Sequence, residues 1–318
     1  VCETGTYTVI QESLTSGAAY EAGFKNALRL DTTTAEASAG SAGEQTTIEQ
    51  RIEGFNLQAF KKGTSNAEKF TLAFWVKASK TGSNLQVNLI DQDNSRMIGG
   101  TYDISSADTW EHKVINFAAD TTGAFGDDNG NSLTIEWFLD GGSNYSGGAV
   151  PTAWETKSNA DRNVTNFDLA GSTDNDWAIT GIQLEVGEFS STTLPPFQHE
   201  NYADNLLRCQ RYYVQLGTVG DTQSGFPARA FSSSGLMFAA SLAVPLRADP
   251  STTLVGTIRA FDDAGTKDST SNFSLANYSN KNSNIIMLQS TGFSSLSNDQ
   301  SYNVMAINDT AYKLDAEL

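Results

Sequence analysis

The sequence predicts an all-β chain in two units: an N-terminal jelly-roll β-sandwich, a short linker helix, and a second, C-terminal β-sandwich. Three observations predict this. Apolar residues recur with period two in short runs, turn-forming residues separate the runs, and a Pro-Pro pair followed by one amphipathic stretch interrupts the pattern near residue 195. A length of 318 residues exceeds one typical domain and leaves each unit enough chain for its own core.

In the first unit, residues 1–194, Phe70, Leu72, Phe74 and Val76 alternate with Thr71, Ala73, Trp75 and Lys77. Leu133, Ile135, Trp137 and Leu139 alternate in the same way with Thr134, Glu136, Phe138 and Asp140, and Ile182, Leu184 and Val186 repeat the pattern. Such alternation marks half-buried strands. Turn clusters at Thr81–Asn84, Asp127–Gly130 and Gly141–Asn144 punctuate the runs, and a brief turn is expected near Asn56–Phe60. Many short strands at fairly regular spacing favour a jelly roll over βαβ units.

Residues 195–213 form the linker. Pro195 and Pro196 cannot donate to a sheet ladder. A helix is expected from Asn201 to Tyr213, because Tyr202, Leu206, Cys209 and Tyr213 fall at i, i+4, i+7 and i+11 on one apolar stripe. Residues 214–318 return to strand patterns at Leu236–Val244, Thr253–Phe261, Asn284–Leu288 and Tyr302–Ile307.

Composition narrows the function. The 17 Phe, 10 Tyr and 5 Trp set the chain apart from disordered sequences. A net charge of −17 repels phosphate backbones, which excludes nucleic acid as a partner. No apolar run approaches the ~20 residues of a spanning helix, so no membrane insertion is expected. Cys2 and Cys209 do not make a disulfide framework and suit folding in a reducing cytoplasm.

No catalytic constellation emerges, and the expectation is a non-enzymatic protein. His112 and His199 lack a Gly-x-Ser-x-Gly partner motif. Glu136, Asp140, Asp176 and Glu185 are formally eligible as a glycosidase pair, but carboxylates on strand faces are usually solvated. No cofactor is expected. Asp91-Gln92-Asp93-Asn94 and the turn at Asp127, Asp128 and Asn129 offer oxygen ligands of the type Ca²⁺ takes. Neither fits an EF-hand loop, and a plain turn is the preferred reading over a structural calcium site. Aromatics outside the cleaner apolar stripes are candidate sugar platforms: Trp75 and Phe138 on strands, Tyr145 and Trp154 in Gly/Pro loops. The rival location is the second unit's loops, Gly220–Phe226 and Asp262–Lys267.

Several phrases occur in one order: Phe55-Asn56-Leu57, Phe70 to Lys77, Thr109-Trp110-Glu111, Asp120-Thr121-Thr122-Gly123, Ile179 to Gly187, Pro196-Phe197-Gln198-His199 and Arg208 to Tyr213. In these the chain resembles a family of bacteriophage tail-fibre and virion appendage proteins whose first domain looks like a carbohydrate-binding-module jelly roll. The resemblance implies a receptor-binding component made in the bacterial cytoplasm and carried on the virion exterior, displaying β domains to host surface glycans. It also implies a homotrimer; the stripe of Tyr202, Leu206, Cys209 and Tyr213 is the candidate threefold contact, the alternative being that it packs onto the chain's own β domains. Attachment to other virion or tail proteins is expected through a segment preceding Val1. The alternatives are a decoration or connector protein without a ligand and, from the enzyme class, a polysaccharide depolymerase.

Overall fold

The computed structural model describes residues 5–36, 41–216, 225–262, 265–269, 273–276 and 283–317, without the side chains of 306–311. The all-β class holds throughout, and the chain divides into two compact units, Val1–Gln198 and His199–Leu318.

The first unit contains β1 (Thr6–Ser13), α1 (Ala18–Glu21), β2 (Asn26–Thr34), β3 (Gln45–Glu53), β4 (Phe70–Ala78) and β5 (Gly82–Asp91). Then follow β6 (Arg96–Ile104), β7 (Glu111–Phe117), β8 (Asn131–Gly141), β9 (Glu155–Thr156) and β10 (Asp176–Val186). They form two five-stranded antiparallel sheets, ordered β1-β2-β10-β4-β7 and β3-β8-β5-β6-β9. The alternating apolar sets meet between them. Phe70, Leu72, Phe74 and Val76 of β4 face Leu85, Val87 and Leu89 of β5 and Leu133, Ile135 and Trp137 of β8 in one core. This is a β-sandwich, with the interior of each sheet supplied by every second residue. Two 3₁₀ turns, Gly54–Asn56 and Gln58–Phe60, stand where a brief turn was expected.

One irregularity sets the register of β10. Against β4, Thr180 pairs with Trp75 but Gln183 pairs with Ala73, so a bulge lies between them. Gly181 in the bulge has φ 60, and a Cβ there would lie 2.5 Å from the Phe24 ring, so the position requires glycine. The bulge keeps Thr180 and Gln183 on the same outer face despite their odd spacing.

The second unit contains α2 (Tyr202–Gln210), β11 (Tyr213–Leu216), β12 (Gly225–Ser232), β13 (Gly235–Ser241), β14 (Ser251–Asp262), β15 (Gly265–Ser269), β16 (Phe273–Leu275), β17 (Ile285–Thr291) and β18 (Ser301–Asp315). These strands form one antiparallel sheet, ordered β15-β14-β18-β12-β13-β17-β16, with β11 also on β18. The sheet rolls over itself: Thr252 on β14 donates its hydroxyl to the Phe273 carbonyl on β16 at 3.0 Å. Phe238, Phe273, Leu288 and Tyr312 lie in the core this encloses. Among the described residues the buried Tyr312 hydroxyl has no hydrogen-bond partner, and burial pushes its pKa far above the ordinary tyrosine value. Tyr312→Phe therefore removes an unsatisfied group and is expected to stabilise the unit by about 1 kcal/mol in urea unfolding. A loss of stability would mean that the hydroxyl has a partner.

α2 is shorter than the expected helix. Asn201 caps it, its Oδ1 accepting from Ala203 N at 2.9 Å, but it ends at Gln210. Tyr213 instead opens β11, pairing with Asp315. The ladder with β18 takes the chain out of the helix, so Tyr213 leaves the stripe. Tyr202 is 80% exposed, and Leu206, Leu207 and Cys209 are also exposed.

Candidate functional site

Three of the four expected sugar platforms are buried. Phe138 is fully covered, and Tyr145 and Trp154 are nearly so. Trp154 inserts into the core between the sheets, its ring centroid 5.8 Å from that of Phe70. Phe138 and Tyr145 are instead covered by the chain between β8 and β10, which folds back over the outer face of the second sheet. Gln86 and Asn88 on that face donate to the carbonyls of Asp161 and Arg162 at 2.6 and 2.9 Å, and Gln86 Oε1 accepts from Val164 N at 3.0 Å. Arg162 reaches inward to an ion pair with Glu136, its guanidinium 5.4 and 5.2 Å from the Phe138 and Tyr145 ring centroids. Tyr145 donates its hydroxyl to Gly43 O at 3.3 Å, and Trp154 donates Nε1 to Ala118 O at 2.8 Å. These rings are packing elements and present no free face to a sugar. Period-two reading assigns the second face of β8 to solvent, and nothing local in the sequence announces the loop that covers it.

Trp75 is different. It lies on the outer face of the first sheet, half-buried, directly across from His112 on β7. The two rings stack with centroids 4.9 Å apart and planes 28° apart. Burial lowers the His112 pKa, so the imidazole is neutral at pH 7 and the pair forms one flat, uncharged surface. Around it stand polar groups from neighbouring strands. Gln183 and Glu185 on β10 are joined by a 2.9 Å hydrogen bond, and Lys77 on β4 pairs with Glu12 on β1 at 2.7 Å.

Past Lys77 the same face opens into a cavity of about 330 Å³ lined by Glu12, Lys77, Asp108, Thr109, Trp110 and the loop 13–18. Lys77 Nζ lies 5.4 Å from the Trp110 ring centroid. Glu12 Oε1 takes the Lys77 bond, while Oε2 is buried without a partner among the described residues. The face thus combines an aromatic platform with a polar recess holding an unused acceptor. Sequence reading singled out Trp75 but missed its partner: His112 reads as an isolated histidine until the β4–β7 register places it beside the indole.

A second cavity, about 550 Å³, is lined by Glu36, Glu44, Asp140, Asn166 and Asp168, among others, and has no aromatic wall. Burial raises the Asp168 pKa, with Asp140 adding to the effect and Lys80 opposing it.

The eligible carboxylates do not converge. Glu136 and Asp140 sit four residues apart on β8, roughly 13 Å by strand rise, beyond the ~9.5 Å limit for an inverting pair. Asp140 accepts from Asn166 Nδ2 and Ala170 N, both at 2.8 Å. Asp176 pairs with Arg29 at 3.0 Å on the other sheet. At the turn proposed for calcium, Asp128 Oδ1 accepts from Gly130 N and its carbonyl accepts from Phe55 N, which is the plain-turn arrangement. Among the described residues no set of three or more His, Cys, Asp or Glu is placed to hold a metal ion. Cys2 and most of the loop Gly220–Phe226 lie outside the described residues.

No family model and no curated protein matches the chain. Among solved structures it is similar to the N-terminal CBM22-1–CBM22-2 tandem domain from Paenibacillus barcinonensis Xyn10C, at 9% identity over 99% of this chain and 92% of that one, with a TM-score of 0.28. A likeness that low constrains neither fold nor function.

Proposed function

We propose that the chain is a phage tail-fibre or receptor-binding component of the virion exterior that holds host surface glycans on the outer face of its first sheet. The carrying observation is the stacked, half-exposed Trp75–His112 pair. Axial C–H groups of a pyranose pack on such a face, and Gln183, Glu185, Lys77 and Glu12 stand around it as hydrogen-bonding groups. The resemblance of the sequence to phage appendage proteins supports the same assignment.

One such site binds weakly, in the millimolar range, and a homotrimer repeated over a particle converts this into avidity. The exposed Tyr202, Leu206 and Cys209 of α2 fit burial in that assembly. The protein acts without hydrolysis, since Glu136 and Asp140 are committed to internal partners.

The test is Trp75→Ala in the full chain, assayed on a glycan array and in competition with phage for host cells. A loss of about tenfold or more in apparent affinity, with unchanged circular dichroism, is expected. Equal binding by the folded variant removes the site. A wild-type chain that binds no glycan favours the connector role, and release of reducing ends from host polysaccharide favours the depolymerase.

A further inference from the structure

Lys62 is fully buried, and its ammonium sits inside a cage of oxygens. Asp91 Oδ2 lies 2.5 Å from Nζ, Gly123 O 2.7 Å, Thr122 O 3.0 Å and Asp120 Oδ2 3.0 Å. Asp91, Thr122 and Gly123 take the three ammonium protons as hydrogen bonds, and Asp120 adds a second carboxylate as an ion-pair partner. Two carboxylates and two carbonyls converging on one point are also the donor set of a hard, spherical cation.

The chain is bent to fill this point. Lys61 and Gly63, on either side, both have left-handed backbones, φ 50 and φ 82. Gly63 N donates to Asp120 O at 2.9 Å, tying the turn to the loop it penetrates. The two carboxylates have holders besides Lys62. Asn94 Nδ2 donates to both oxygens of Asp91, at 3.2 and 3.0 Å, and Arg96 grips Asp120 with Nε and Nη2 at 2.8 and 3.2 Å. Although burial opposes ionisation, the bonds from Arg96 and Lys62 and the Thr122 amide hold the Asp120 pKa below the usual carboxylate range. Without Lys62 the group carries Asp91 and Asp120 against Arg96, a buried excess of one negative charge.

We propose that this cage is a calcium-type cation seat whose cation is supplied by the chain itself, and that removing the Lys62 side chain converts the first unit into a calcium-binding module. Asp91, set apart in the sequence for its oxygen-rich surroundings, does hold a cation, but the cation is an ammonium. The preference is for Ca²⁺ over Mg²⁺. The oxygens stand at 2.5–3.0 Å from the centre and need only a slight contraction to reach the ~2.3–2.6 Å of calcium, whereas magnesium demands ~2.0–2.1 Å and sheds water reluctantly. The space vacated by the side chain leaves room for water to complete the shell.

The experiment compares full-length wild type, Lys62→Gly and Lys62→Met in thermal unfolding with EDTA, CaCl₂ or MgCl₂, and in terbium luminescence. The Trp154 ring centroid lies 4.9 Å from the seat, close enough to sensitise bound Tb³⁺. Lys62→Gly is expected to gain several degrees of melting temperature when calcium is about 100-fold above its Kd, to respond little to magnesium, and to show tryptophan-sensitised emission that excess CaCl₂ quenches. Wild type, whose seat holds its own ammonium, and Lys62→Met, whose terminal methyl ends one bond short of the seat and blocks it, should show none of this. Recovery of a Lys62→Gly chain that folds only when calcium is added supports the proposal equally. A folded Lys62→Gly that ignores calcium, one that stays unfolded at saturating calcium, or an equal response from Lys62→Met each overturns it.

Discussion

Arg162→Met is expected to destabilise the first unit by about 3–5 kcal/mol, the usual cost of stripping one partner from a buried ion pair. Glu136 has no solvent exposure, and Arg162 approaches it with two nitrogens, Nε at 3.1 Å and Nη2 closer. Of the Glu136 bonds, the one from Asn88 Nδ2 at 2.9 Å survives the substitution, and one neutral donor cannot carry a buried carboxylate. Methionine keeps much of the stem volume that packs beside Phe138 and Tyr145, so the loss reports charge more than cavity. The control is the double variant Arg162→Met with Glu136→Gln, which removes the stranded charge and keeps an acceptor for Asn88. It should recover most of the stability in urea unfolding followed by tryptophan fluorescence. A single-variant cost under about 1 kcal/mol, or a double variant no better than the single, would show that the pair is not what pins the loop.

The same pair shows where sequence reading stops. The strands at Phe70–Val76, Leu133–Leu139 and Ile182–Val186 are legible because period-two alternation is a local property with one physical cause, burial of one sheet face. The inner faces are therefore right residue by residue. The outer faces are not legible, because what covers them comes from elsewhere in the chain. Phe138 reads as an exposed ring opposite a cleaner stripe, yet Arg162, Tyr145 and the loop around Asn163 close over it. Trp75 occupies the same kind of position on β4, and the outer face of its sheet is covered around Trp110 and Phe24 while the indole stays half-open. No local signal separates these two aromatics. The helix shows a related limit. Tyr213 satisfies the helical spacing, but its backbone is worth more in a ladder with β18, about 100 residues downstream, than in one more turn. Lys62 was invisible for a third reason: a single lysine among 20 basic residues carries no mark of burial until its oxygens converge.

Phe238→Ala is expected to cost about 3–5 kcal/mol and to lower the melting of the second unit alone by roughly 12–25 °C. The ring is 1% exposed and is the hub of the second core, with centroids 5.5 Å from Phe226, 5.8 Å from Tyr312 and 6.4 Å from Phe273. Truncation leaves a cavity among three other rings, in a sheet whose rolled shape limits collapse. The first core shares no residue with this one, so calorimetry should resolve two transitions, of which one moves. The functional consequence follows from the location of Trp75 on the first unit. Fragment 1–198 should retain the glycan binding of the full chain at equal site concentration, and so should Phe238→Ala below its own transition. If both transitions shift together, the units fold as one cooperative body. If fragment 199–318 alone competes with phage for host cells, the receptor site lies in the second unit and the Trp75–His112 face is not it.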